Sequence, residues 1–388
     1  MKTSRVFPRS SRLGCRASLT AVLVIAAMPF FSPMAAATGF SQTNLVTDDP
    51  AANPAQTTDP NLKNAWGISS SGTSPFWVSD NGSGVSTLYR VDPATNATTK
   101  VGLTVSIPGD GSVTGQVFNS NSTAFNGDSF VFVSEDGTVS GWRGALGTAA
   151  ETLQPSSAAN VYKGSAEATM GGDSYVYAAN FRNGTIDVIK GNGGSPNLAG
   201  NFTDPTLPAG YAPFNIKNIN GELYVTYALQ DGAKKDDVPG TGNGFVSVFD
   251  LQGHFISRVG SQGTLDSPWG LALAPSSFGA FAGDLLVGNF GDGTISAFDF
   301  ATHNFVGQLR DGGGNLLAID GLWGLTVGNG GGAGSSQSLY FSAGPNGETN
   351  GLFGVLSAIP EPAPFWLMGV GVLPGIGFAR AIRRRCPV

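Results

Sequence analysis
Three oxygen-bearing side chains occupy the same kind of place in this chain. Asp80, Asn180 and Asn289 each end a short apolar segment where a polar turn begins, and Glu167 lies in the segment that precedes one of them. Carboxylates and amide carbonyls suit a hard divalent cation such as calcium. Asp80, Glu167, Asn180 and Asn289 are therefore the candidate metal or polar-ligand set, for Ca2+ or another divalent cation. A plainer use competes, because Asp-Gly and Asn-Gly are what tight hairpin turns require. No catalytic residue is assigned. The two histidines, His254 and His303, stand apart from these turns. A histidine-based triad also needs a serine held against its base, and the chain has no G-x-S-x-G elbow. The glycine-rich run from Gly328 to Gly334 has no Lys-Ser or Lys-Thr after it to bind phosphate, and a flexible loop is expected there. Asp231 to Asp237 is a charged insertion without the spacing of a calcium loop, expected to be solvated or to act as a lid.

The elements that would position these residues form a repeat. A short apolar strand, a polar glycine turn and a second strand recur. The clearest copies are Phe130 to Trp142, through Glu135-Asp136-Gly137, and Leu285 to Phe298, through Asn289-Phe290-Gly291-Asp292-Gly293. Further copies start at Phe76, Tyr175, Leu223 and Leu339. Anchored on Val85, Val139, Ile186, Val246, Ile295 and Leu352, the spacings are 54, 47, 60, 49 and 57 residues. A Trp-Gly-apolar core precedes some pairs, at Trp66-Gly67, Trp269-Gly270 and Trp323-Gly324. Short strands with glycine turns at this period argue for an all-β, six-bladed β-propeller. Middle strands apolar on both faces fit blades packed between neighbours. The final unit lacks a fourth strand, and the alternating run Phe40 to Val46 lacks a partner, so this N-terminal strand is expected to close the ring.

With that repeat in place, the chain resembles propellers of the NHL and SMP-30/gluconolactonase type. The resemblance implies inner strands that start at Trp-Gly and line a channel, with Asn64, Glu167, Asn215, Asp266 and Asp320 entering it. It also suggests an alternative activity, a metal-dependent hydrolase or lactonase at the channel mouth, although the spacing does not match closely enough to transfer roles. Trp66, Trp269 and Trp323 are expected in the core between blades, with carbohydrate stacking as the sharper alternative.

The chain ends carry addresses. Lys2, Arg5, Arg9, Arg12 and Arg16, an apolar run from Leu19 to Met28, and Ala35-Ala36-Ala37 have the order of a secretory signal peptide, residues 1–37, cut at an A-x-A site of Ala35 and Ala37. At the other end, residues 360–388 hold Pro360-Glu361-Pro362, an apolar segment from Ala363 to Ala379, and Arg380, Arg383, Arg384 and Arg385. The apolar segment and its arginines fit a transmembrane helix with a cytoplasmic C-terminus. This tail resembles the PEP-CTERM sorting signal. The resemblance implies an exosortase-type membrane protease as partner, insertion in the inner membrane before processing, and a final place at the cell surface or outside the cell. The whole span also resembles a family of exported propellers that often carry such a tail, which implies an address and no particular activity.

The propeller itself spans residues 38–359. Outside residues 1–37 and 363–388 the chain has 12 basic and 27 acidic residues, a net of −15, so no attraction to nucleic acid is expected. Cys15 and Cys386 both lie in the end segments, which leaves the propeller without disulfides. The thin catalytic inventory favours a protein that binds a partner or an extracellular polysaccharide over an enzyme.

Overall fold
A computed structural model describes residues 37–360. They form six sheets arranged as the blades of a propeller, antiparallel apart from a short parallel pairing of Val46 and Thr47 with Thr57–Thr58. Blade one runs Ala65–Ser69, Phe76–Asp80, Val85–Val91 and Thr98–Ser106, from the axis outward. Blade two runs Val113–Phe118, Phe130–Ser134, Val139–Trp142 and Glu151–Gln154. Blade three has three strands, Tyr162–Met170, Asp173–Asn180 and Thr185–Lys190. Blade four has Tyr211–Ile219, Glu222–Leu229, Gly244–Asp250 and Phe255–Ser261. Blade five has Pro268–Leu273, Leu285–Asn289, Ile295–Phe298 and Phe305–Gln308. Blade six takes Leu322–Val327, Leu339–Ala343 and Leu352–Pro360 from the end of the fold and Ala37–Thr47 from its start.

Sequence explains why the second strands sit deepest. Every residue of Phe76–Asp80, Phe130–Ser134, Leu285–Asn289 and Leu339–Ala343 is buried, because each strand is covered by a neighbouring blade on both faces. Phe76 of blade one packs on Tyr340 and Phe353 of blade six, ring centres 4.6 and 5.2 Å apart. Full burial of one such side chain is worth about 1.5–3 kcal/mol. The turns into the third strands need left-handed backbone, supplied by Gly137 (φ 82°) and Gly293 (φ 72°).

The ring closes as expected. Ala37–Thr47 pairs antiparallel with Leu352–Pro360, from Ala37 opposite Pro360 to Thr47 opposite Leu352. The run from Gly328 to Gly334 is tied down rather than free. Asn329 donates to the carbonyls of Ser71 and Ser74 in blade one, and Val91 and Gly332 are joined backbone to backbone.

Ala35, Glu361, Pro362, Arg383, Arg384 and Arg385 lie outside the described residues. Among the described residues no helix is long and apolar enough to cross a membrane.

Candidate functional site at the channel mouth
All six inner strands carry a β-bulge at the same level. The pairing with the second strand shifts between Ala65 and Ile68, Val113 and Gln116, Tyr162 and Ser165, Pro213 and Asn215, Pro268 and Gly270, and Leu322 and Leu325. Bulges re-aim the side chains at them. Just inside the bulge each strand presents one residue, in order Trp66, Thr114, Lys163, Phe214, Trp269 and Trp323, and then a glycine in five of the six. Those glycines mark close approach. A Cβ on Gly67, Gly115, Gly270 or Gly324 would strike the backbone of the next inner strand around the ring. In blade four Asn215 replaces the glycine, and its amide donates to the Trp269 carbonyl of blade five.

The tryptophans were expected between blades, but they meet on the axis. Trp66 stacks on Trp323 with ring centres 3.6 Å apart, Trp269 meets both edge-on at 6.2 and 5.9 Å, and Phe290 covers the other face of Trp323 at 3.8 Å. Phe181 and Phe214 complete the cluster. The reason is the bulge, which turns a residue of each inner strand inward instead of into the blade interface. Trp269 donates its indole N–H to the Lys163 carbonyl and Trp323 to Asn64 Oδ1, while the Trp66 indole N–H has no partner. The indoles are buried, so they form a cap across the channel and leave no ring face open for a sugar to stack on.

Charge is concentrated on this cap. The Lys163 ammonium lies 5.1 Å from the centre of the Trp66 ring and donates to Glu135 Oε1 at 2.5 Å and to Asp236 Oδ1 at 3.1 Å. Burial pulls its pKa down, but Glu135 and Asp236 outweigh that and hold it above the usual lysine value. Asn81 bridges Glu135 and Asn64, and Asn64 donates to Glu348 Oε2 at 2.7 Å. Burial raises the pKa of both Glu348 and Asp237. The insertion from Asp231 to Asp237 is thus not simply solvated: its last two residues turn into the mouth, while Asp231 accepts hydrogen bonds from the N–H groups of Lys235 and Asp236. Blades one, two, three, four and six all contribute polar groups to one network, and blade five adds Trp269. The arrangement fixes loops and presents a polar rim. Its cation is consumed internally, so it does not offer a free acid–base pair.

The four oxygen-bearing candidates do not converge. Asp80, Asn180 and Asn289 hold the same last position of the second strand in blades one, three and five, opposite Ala65, Tyr162 and Pro268. Asn180 donates to Asn160 and Asp187, and Asn289 to Thr264 and Thr294, so each amide serves its own blade's turns. Asp80 is fully buried, and neither carboxylate oxygen accepts a hydrogen bond. Burial pushes its pKa well above the usual carboxylate value, and the charge of Asp59 adds to this. Glu167 sits five residues along its strand from Tyr162, opposite Val176, and accepts from Thr169. A calcium site needs such oxygens around one point, and these residues do not fit it. Among the described residues no group of three or more His, Cys, Asp or Glu side chains is placed to hold a metal ion. Of the histidines, His254 is exposed and bonded to Asp250, and His303 lies 3.5 Å from the Ser257 hydroxyl, both away from the channel.

Comparison with known proteins finds relatives of this chain by sequence. The chain is 33% identical over 316 residues to the uncharacterised protein R648 of Acanthamoeba polyphaga mimivirus, covering 76% of this chain and 75% of that one. It is 38% identical over 186 residues to protein L690 of the same virus, 47% of this chain and 48% of that one. No family model matches the chain. Among solved structures, the Penicillium chrysogenum alpha-L-arabinanase complexed with arabinobiose gives a TM-score of 0.49 at 12% identity, over 82% of this chain and 99% of that one. The streptogramin B lyase structure gives 0.45 at 12% identity, over 82% of this chain and 97% of that one.

Proposed function
We propose, for a chain that belongs to the same family as the mimivirus protein R648, a role as an exported propeller that binds a partner or polysaccharide on the face around the channel mouth. The observation that carries this is the Lys163 network. A cation held between Glu135 and Asp236 above a buried indole, with Asn64, Asn81 and Glu348 continuing the network, ties groups of five blades together, and firmly held loops on a scaffold are the usual carriers of recognition. Exposed polar groups surround that network, among them Lys234 and Lys235. The same groups are poor material for turnover, because each charged group in the network already faces an opposite charge or an amide.

Export belongs to the same proposal. The basic and apolar segments before Ala37 would direct secretion, and Pro360-Glu361-Pro362 with the arginine-ended apolar tail would hold the chain in the inner membrane for an exosortase-type protease. The product would reside at the cell surface or outside the cell.

The test is titration calorimetry of the mature protein with the extracellular polysaccharide and the surface-protein fraction of the host. Saturable binding that is lost in a Lys234→Glu, Lys235→Glu variant and kept in a variant of the exposed outer strand, Phe305→Ser, supports the proposal. Turnover of a lactone or ester by the same preparation, abolished by changes at the mouth, overturns it.

A further inference from the structure
Beneath the aromatic cap, on the axis, lies a cavity of about 30 Å³, enough for a water-sized occupant. All six inner strands line it, through Gly67, Gly115, Ser165, Asn215, Trp269 and Gly324 among others. Two of its polar groups lack partners. The Ser165 hydroxyl is buried and makes no hydrogen bond. Lys217, next down the inner strand of blade four, also lines the cavity, and no charged side chain of either sign offsets the burial that pushes its pKa down to about 8. Of the neighbouring amides, Asn215 donates to Trp269, and Gln116 donates to Gly67 and Trp77 while its oxygen faces the Ser86 hydroxyl. No carboxylate lines this space.

A largely buried ammonium without a counter-charge is costly unless something of opposite sign joins it. An ammonium has donors only, and a hydroxyl can donate as well. The space has room for a monoatomic ion of chloride or bromide size. We propose that the axial cavity is a binding site for one small halide-class anion, held by the Lys217 ammonium and the Ser165 hydroxyl.

Two measurements on the mature protein test this. Crystals grown in sodium bromide should show one anomalous peak within hydrogen-bonding reach of both Lys217 Nζ and Ser165 Oγ. In solution, replacing sodium isethionate by sodium chloride at constant ionic strength should raise Tm by about 2–4 °C. Lys217→Met should abolish that rise, and Ser165→Ala, a milder change that serves if the first variant does not fold, should shrink it. A water in place of the bromide peak, or a wild-type Tm indifferent to the anion, overturns the proposal.

Discussion
The Lys163 ammonium lies 5.1 Å above the centre of the Trp66 indole, and the two residues occupy equivalent places in blades three and one. Around the ring that place is otherwise filled by threonine, phenylalanine or tryptophan. Blade three has exchanged an apolar cap residue for a cation, and blades two and four supply the acids that neutralise it.

Removing that cation should be expensive. Lys163→Met leaves Glu135 with its strongest partner gone inside the mouth, and loss of one member of a buried pair costs about 3–5 kcal/mol. Solvent screening at the largely exposed Asp236 discounts its half, so a loss of about 2–3 kcal/mol in denaturant unfolding is expected. Adding Glu135→Leu should recover part of it; a double variant as unstable as the sum of the singles would contradict the pairing.

The aromatic cap should behave as core. Trp323→Ala removes a ring that touches Trp66, Trp269, Phe290 and Phe214. A loss of about 3–5 kcal/mol is expected, together with loss of the coupled near-ultraviolet circular dichroism of the Trp66–Trp323 stack. An exposed, sugar-stacking tryptophan would instead cost little stability.

Asp80 gives a pH-dependent prediction. Its folded pKa is raised by burial, so the folded state keeps the proton after the unfolded chain has released it near pH 4. Stability is then lost as pH rises from there toward the folded pKa, by at most about 1.4 kcal/mol per pH unit. Asp80→Asn, which cannot ionise, should be nearly neutral at pH 3.5 and stabilising at pH 7. Equal effects at both values would show that the carboxyl is not held protonated.

Chelation should leave the fold alone. With Asp80, Asn180 and Asn289 each engaged or buried in its own blade, a chelator is expected to shift Tm by less than about 1 °C. A larger drop reversed by calcium would restore a metal centre.

The blades were legible in the sequence because each is local. Strands such as Phe130–Ser134 and Val139–Trp142 are joined by a few residues, and their apolar runs and Asp-Gly turn identify them directly. The closing strand was legible for the same reason, as an alternating run with no local partner. The mouth was not. Lys163, Glu135, Asp236 and Glu348 come from four blades, and their convergence exists only after the ring has closed. One local sign was present: Lys163-Gly164 and Thr114-Gly115 repeat the residue-glycine pair of Trp66-Gly67 with the tryptophan changed. The glycine of that pair marks the cap position in five blades, whereas Trp-Gly marks it in only three. The oxygen-bearing residues Asp80, Asn180 and Asn289 end second strands, one strand out from the axis, and each is buried or bonded within its own blade, which the sequence pattern does not reveal.

Ala37 stands directly opposite Pro360 in the seam that completes blade six, about 4.5–5.5 Å away for paired antiparallel residues. Topologically the fold is therefore a loop with a nick. A short glycine linker across that nick, with new ends opened in the turn after Asn126 or at Gly194, would give a circular permutant with the same six blades. In such a permutant the seam becomes an ordinary hairpin, and the start and finish of the chain move to a rim of another blade.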